Sequence, residues 1–66
     1  MPSIAYTVSN QRAELGFTQQ ELAELSGVSI RLIRELEAGR ANPGMLQLIR
    51  IAKALNLTLT LVPATI

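Results

Sequence analysis

The chain has no cysteine, no histidine, no tryptophan and no aspartate. Without cysteine there is no disulfide staple and no thiolate metal site. Without histidine it lacks the commonest metal ligand and general base. A glycine-rich phosphate loop is also missing, and no base is at hand to activate a serine, so no catalysis, metal or cofactor is expected. No apolar run reaches the roughly 18 residues that suggest a transmembrane helix. The N-terminal Met1-Pro2-Ser3-Ile4 lacks the basic and then apolar pattern of a secretory signal. The expectation is a cytoplasmic protein with no membrane contact.

What is present fits a small packed domain. The 66 residues are 48% hydrophobic, enough for one domain over 1–66. Its core is small, so stability depends on good helix packing or on oligomerisation. Net charge is only +1, but its distribution is uneven. All five acids, Glu14, Glu21, Glu24, Glu35 and Glu37, lie in the first 37 residues, while Arg31, Arg34, Arg40, Arg50 and Lys53 follow from position 31 onward. For a nucleic-acid partner the existence of a basic face matters more than the sum.

Residues 4–15 read as a first helix, with Ile4, Val8 and Leu15 near helical spacing, Arg12 on the same side and Gly16 as the stop. Phe17-Thr18-Gln19-Gln20-Glu21-Leu22 is the clearest local signal. Thr18 fits an N-cap, Glu21 completes a capping box, and Phe17 with Leu22 forms a hydrophobic staple. A second helix therefore starts at Gln19, turns Leu22 and Leu25 inward, and ends at Ser26-Gly27. Ser29 caps a third helix over about 30–38, with Val28 and Ile33 as its staple, Ile33 and Leu36 facing the core and Gly39 as its stop. A turn of three or four residues containing a glycine joins these two helices. That spacing fits a helix-turn-helix over about 18–38. Pro43 disfavours helix at Asn42 and suits the start of the next helix, and residues 45–55 form a fourth helix with Met45, Leu48, Ile49, Ala52 and Leu55 on one face. Asn56 suits a left-handed cap.

The period then switches. Leu57-Thr58-Leu59-Thr60-Leu61-Val62 alternates at period two and Pro63 ends it. A lone strand leaves its ladder groups unpaired, and its simplest partner is the same strand of a second copy. The expectation is a homodimer joined by a two-stranded ribbon over 57–62, with Leu57, Leu59 and Leu61 facing the helices. The alternative is an extended tail packed within its own chain. The fold class expected is all-α, four helices with one C-terminal dimerising β-strand.

The residues Arg12-x3-Gly16-x-Thr18-Gln19-x-Glu21-Leu22-Ala23-x3-Gly27-Val28-Ser29-x3-Ile33-x3-Glu37-x-Gly39 resemble the Cro/C1 or Xre-type helix-turn-helix repressors, whose fold is the lambda-repressor-like helix-turn-helix domain. The ending Leu61-Val62-Pro63 looks more like the HipB-like antitoxins. The resemblance implies a repressor that binds a palindromic double-stranded operator as a homodimer. In the HipB-like subgroup it implies an antitoxin that represses its own operon with a HipA-like kinase toxin. A restriction-modification controller is the alternative within the family, and a protein-interaction module without DNA binding is the alternative outside it. By position in the family pattern, Ser29, Ile30, Arg31, Arg34 and Glu35 meet base edges. Gln19, Ser29, Arg40 and Asn42 meet phosphates, while Arg12 and Glu37 form an internal salt bridge. An arginine can pair bidentately with guanine O6 and N7, and a glutamate can accept from a cytosine amino group.

Overall fold

The computed structural model describes residues 3–61 and 63. Four helices follow one another: α1 (Ile4–Glu14), α2 (Gln19–Ser26), α3 (Ile30–Glu37) and α4 (Met45–Ala54). The starts of α1, α2 and α3 are fixed by side-chain caps. Ser3 accepts from the Tyr6 N–H at 3.1 Å, and Ser29 accepts from the Leu32 N–H at 3.1 Å. At α2 the exchange is reciprocal: the Thr18 hydroxyl accepts from the Glu21 N–H at 3.0 Å, and the Glu21 carboxylate accepts from the Thr18 N–H at 2.8 Å. Each such cap satisfies backbone donors that have no partner inside the helix.

The stops are equally local. At the end of α3 the Arg40 N–H donates to Glu35 O at 2.8 Å and the Gly39 N–H to Leu36 O at 3.0 Å, the two bonds of a Schellman motif. Asn56 plays the glycine's part at the end of α4, with φ at 57° and the Leu57 N–H donating to Ala52 O at 2.8 Å. Gly27 ends α2 with φ at 73°. Only Gly27, Val28 and Ser29 separate α2 from α3, so the chain must change direction at once. The left-handed conformation does this with no Cβ penalty.

The core is built from Val8, Leu22, Ala23, Ile33, Leu36, Ile51 and Leu55. Leu22, Ile33, Ile51 and Leu55 are wholly buried, each worth about 1.5–3 kcal/mol relative to exposure. α2 packs on both α3 and α4, and α1 packs on α3. Phe17 and Val28, the residues before two of the caps, pack against this core.

Three expectations about inward faces need correction. Leu25 is 59% exposed. α2 buries Leu22, Ala23 and Ser26 instead, and at about 100° per residue that face is centred more than 90° from Leu25. Met45 is exposed and Ile51 takes its place inside, because α4 rotates its buried stripe toward Ile51, Ala52 and Leu55. The third concerns the C-terminal segment. Leu57, Thr58, Leu59, Thr60 and Leu61 form no strand, and no strand occurs among the described residues. A ladder needs a neighbouring chain segment, which the described residues do not supply, and the Leu57 N–H is already used to close α4. Leu57 packs against the core, but Leu61 is 97% exposed. Val62 lies outside the described residues.

Candidate nucleic-acid interface

α3 has two opposite faces. Ile33 and Leu36 are buried, while Arg31 and Arg34 are exposed. The spacing of three places both guanidiniums on one side, and the Ser29 cap fixes where that side begins. Glu35 lies beside them: Arg31 Nε donates to Glu35 Oε1 at 3.2 Å. Ile30 is half-buried and packs against the core, so it presents less surface than the arginines. Ser29 is exposed, and its oxygen is engaged by the Leu32 N–H. Any further partner of Ser29 must take its hydroxyl proton or its remaining lone pair.

Among the other expected contact residues, Arg40 and Asn42 are exposed in the loop after α3. Arg40 also closes that helix through its main-chain N–H. Gln19 opens α2 and is half-buried, with Nε2 donating to Glu37 Oε1 at 3.1 Å. One of its two side-chain amide hydrogens is therefore directed inward. It can offer an anion the other, together with the main-chain N–H at a helix start, where the dipole favours negative charge.

Glu37 is the anchor behind this surface. Arg12 Nε donates to Glu37 Oε2 at 2.7 Å and Nη2 to Oε1 at 3.0 Å, a two-point pair. The Glu37 side chain is only 7% exposed. Arg12 Nη1 donates as well to Phe17 O at 2.7 Å. One carboxylate thus ties α1, α2 and the last turn of α3 together. A carboxylate at a helix C-terminus opposes the macrodipole, and the Arg12 guanidinium offsets that. Burial by itself pushes the Glu37 carboxyl up. The hydrogen bonds from Arg12 and Gln19, the Arg12 charge and the Ser9 hydroxyl outweigh it and hold the group below its ordinary value. In turn, the hydrogen bond and charge of Glu37 exceed the cost of burying Arg12 and raise its guanidinium.

Several supporting groups have no separate sequence signal. The Ser9 hydroxyl adds the smallest of the effects that lower the Glu37 carboxyl, and Gln11 Nε2 donates to Leu55 O at 3.0 Å, linking α1 to the end of α4. Ser26 is buried with its hydroxyl on Leu22 O at 2.7 Å.

On another side of the molecule lies an apolar groove of about 780 Å³ lined by Ile4, Met45, Leu48, Ile49, Leu57 and Leu59 among others. No residue of α2 or α3 lines it. No helix among the described residues is long and apolar enough to cross a membrane.

A helix-turn-helix family profile matches residues 8–62. An uncharacterized HTH-type transcriptional regulator of Methanothermobacter thermautotrophicus is 48% identical over 49 residues, covering 74% of this chain and 71% of the relative. Another from Haemophilus influenzae is 38% identical over 52 residues, covering 79% of this chain and 53% of the relative. A third, from Sinorhizobium fredii, is 40% identical over 47 residues, covering 71% and 61%. The chain thus aligns with about half to three-quarters of each of these proteins. With the matched region taking in all of α2, α3 and α4 and most of α1, this chain belongs to the helix-turn-helix family, of the Cro/C1 (Xre) type.

Proposed function

We propose that this chain is a sequence-specific double-stranded-DNA-binding transcriptional repressor that works as a homodimer. The observation that carries the reading is α3, which buries Ile33 and Leu36 and leaves Arg31 and Arg34 on the opposite, open face. In this reading α3 enters the major groove, Arg31 and Arg34 meet base edges with Ser29, Ile30 and Glu35 beside them, and Gln19, Arg40 and Asn42 hold phosphates. Phosphate contacts position the protein, and base contacts specify the sequence. The description of the relatives as transcriptional regulators supports it.

Two recognition helices about 34 Å apart would read a palindromic operator. The apolar groove is where a second copy docks. Ile4, Met45, Leu59 and Leu61 are exposed along it, it leaves α2 and α3 uncovered, and it runs on into the alternating Leu57–Leu61 segment. The narrower role of a HipB-like antitoxin rests on that same alternation. It is tested by whether the protein copurifies with the product of a neighbouring kinase-like reading frame.

The test of the main reading is a gel shift on DNA upstream of the gene at two salt concentrations, with Arg31→Ala/Arg34→Ala as control. A dimer making about 6–10 phosphate contacts loses roughly 10³–10⁵ in affinity between 50 and 200 mM salt. Binding that is selective, salt-steep and absent in the double variant supports the reading. A folded dimer that binds no DNA points to an interaction module instead.

A further inference from the structure

We propose that Glu35 is a positioning residue that makes Arg31, rather than Arg34, the side chain that sets operator preference. The inference rests on α3 being the recognition helix. Arg31 and Glu35 lie one turn apart and are joined through Nε at 3.2 Å. Their side chains are 86% and 42% exposed, so the pair stands on the open face rather than in the core. It does little for folding, since an exposed pair of this kind changes an equilibrium by about five-fold at most.

Its effect is on geometry. A guanidinium holds five N–H donors in one plane. Glu35 takes Nε, the donor nearest the backbone, and leaves Nη1 and Nη2 as the outward end. Those two nitrogens form the fork that matches O6 and N7 of guanine. An arginine whose fork is aligned before contact loses less rotamer freedom on contact.

Arg34 has no such brace. Glu37, three residues on, is taken by Arg12 and Gln19, and position 38 is alanine. Among the described residues no side chain accepts a hydrogen bond from it. Arg34 keeps its rotamer range, so any base contact it makes is less sharply set than that of Arg31. Glu35 also carries a penalty, because a carboxylate on a DNA-facing helix repels phosphates. Removing its charge should therefore raise general affinity and lower discrimination together, a combination that a purely structural residue does not produce.

The experiment is selection from a randomised duplex library, then titration of the preferred operator and its single-base variants. The proteins are the full chain and its Arg31→Ala, Arg34→Ala, Glu35→Gln, Glu35→Ala and Arg31→Ala/Glu35→Gln forms, each checked for helicity at the assay temperature. Both Glu35 variants are expected to reduce the preference at one base pair per half-site by about two- to five-fold. That pair is the one at which Arg31→Ala erases the preference. Binding to random duplex at low salt stays equal or tightens, and Glu35→Gln adds nothing in the Arg31→Ala background. Unchanged preference in both Glu35 variants overturns the proposal. So does a change at a base pair that Arg31→Ala leaves alone, which would make Glu35 itself a base contact. A preference erased by Arg34→Ala and not by Arg31→Ala also overturns it. A wild-type chain that selects no sequence defeats the DNA-binding reading, and the brace with it.

Discussion

Replacing Glu37 with alanine should destabilise the fold more than removing any other carboxylate. The substitution deletes two hydrogen bonds from Arg12 and one from Gln19, and it leaves the Arg12 guanidinium without its counter-charge at a site where the arginine side chain is only 18% exposed. An exposed pair contributes about 0.2–1 kcal/mol, and breaking a fully buried one costs roughly 3–5 kcal/mol. This pair is nearly buried on the glutamate side and partly open on the arginine side, so a loss of about 2–4 kcal/mol is expected. Stability for a chain of this length is about 3–10 kcal/mol in all. At about 4–8 °C per kcal/mol the melting temperature should fall by roughly 10–30 °C. Thermal and urea unfolding followed by circular dichroism at pH 7 measures it. Replacing both partners, Arg12→Met with Glu37→Leu, should be milder than Glu37→Ala alone, because no unpaired charge is left behind. The pH dependence has a fixed sign. The Glu37 carboxyl is held below its ordinary value in the folded state, so its contribution is complete above the unfolded value of about 4.3 and is lost as pH falls through the folded value. The gap between wild type and Glu37→Gln should therefore close in strong acid. A Glu37→Ala melt within about 0.5 kcal/mol of wild type at pH 7 would refute the argument, since changes that small belong to ordinary surface positions.

Three other outcomes are expected. Gly27→Ala meets no atom within 4 Å of the new Cβ, so its cost is backbone strain alone, about 1–2 kcal/mol; urea unfolding should show this, and a larger loss would mean that the turn also has a packing role. Met45→Glu places a charge in the apolar groove at an exposed position, so it should shift sedimentation toward monomer at unchanged helicity, and an unaltered mass would place the dimer contact elsewhere. Arg31→Ala should weaken operator binding by about 1–3 kcal/mol, measured by titration on cognate and base-substituted duplexes; an equal loss on every sequence would demote the residue to a phosphate contact.

The helix boundaries were legible because they are set by neighbours in sequence. Thr18 and Glu21, Ser29 before Ile30, and the glycines at 16, 27 and 39 each act within a few residues, and the four helices begin and end within a residue or so of where those signals put them. What was not legible depends on how helices rotate against one another. Leu25 looks as apolar as Leu22, yet the stripe that α2 presents to α3 and α4 passes through Ala23 and Ser26 instead. Ser9 and Gln11 carry no signature of their own. Ser3 caps α1, while Ser9 and Gln11 gain their roles only once Glu37 and the end of α4 are brought against them. The pairing of Arg12 with Glu37 came from the family pattern, not from spacing, since nothing local joins residues 25 positions apart. At the interface, the arginines could be placed on one face from their separation, but the link from Arg31 to Glu35 is a choice of rotamers that a sequence does not record. The C-terminal alternation named a type of element without naming its partner, and a strand is defined by its partner.

The brace between Arg31 and Glu35 has a consequence for how such regulators diverge. Neither side chain belongs to the core, so new operator preferences can arise there without a threat to folding. With α3 as the proposed reading helix, a change at position 31 alone leaves a carboxylate facing DNA with nothing to hold, and a change at 35 alone leaves the fork loose. Paralogues that share one cell and must ignore each other's operators would be expected to exchange these two positions as a couplet, with position 34 drifting independently.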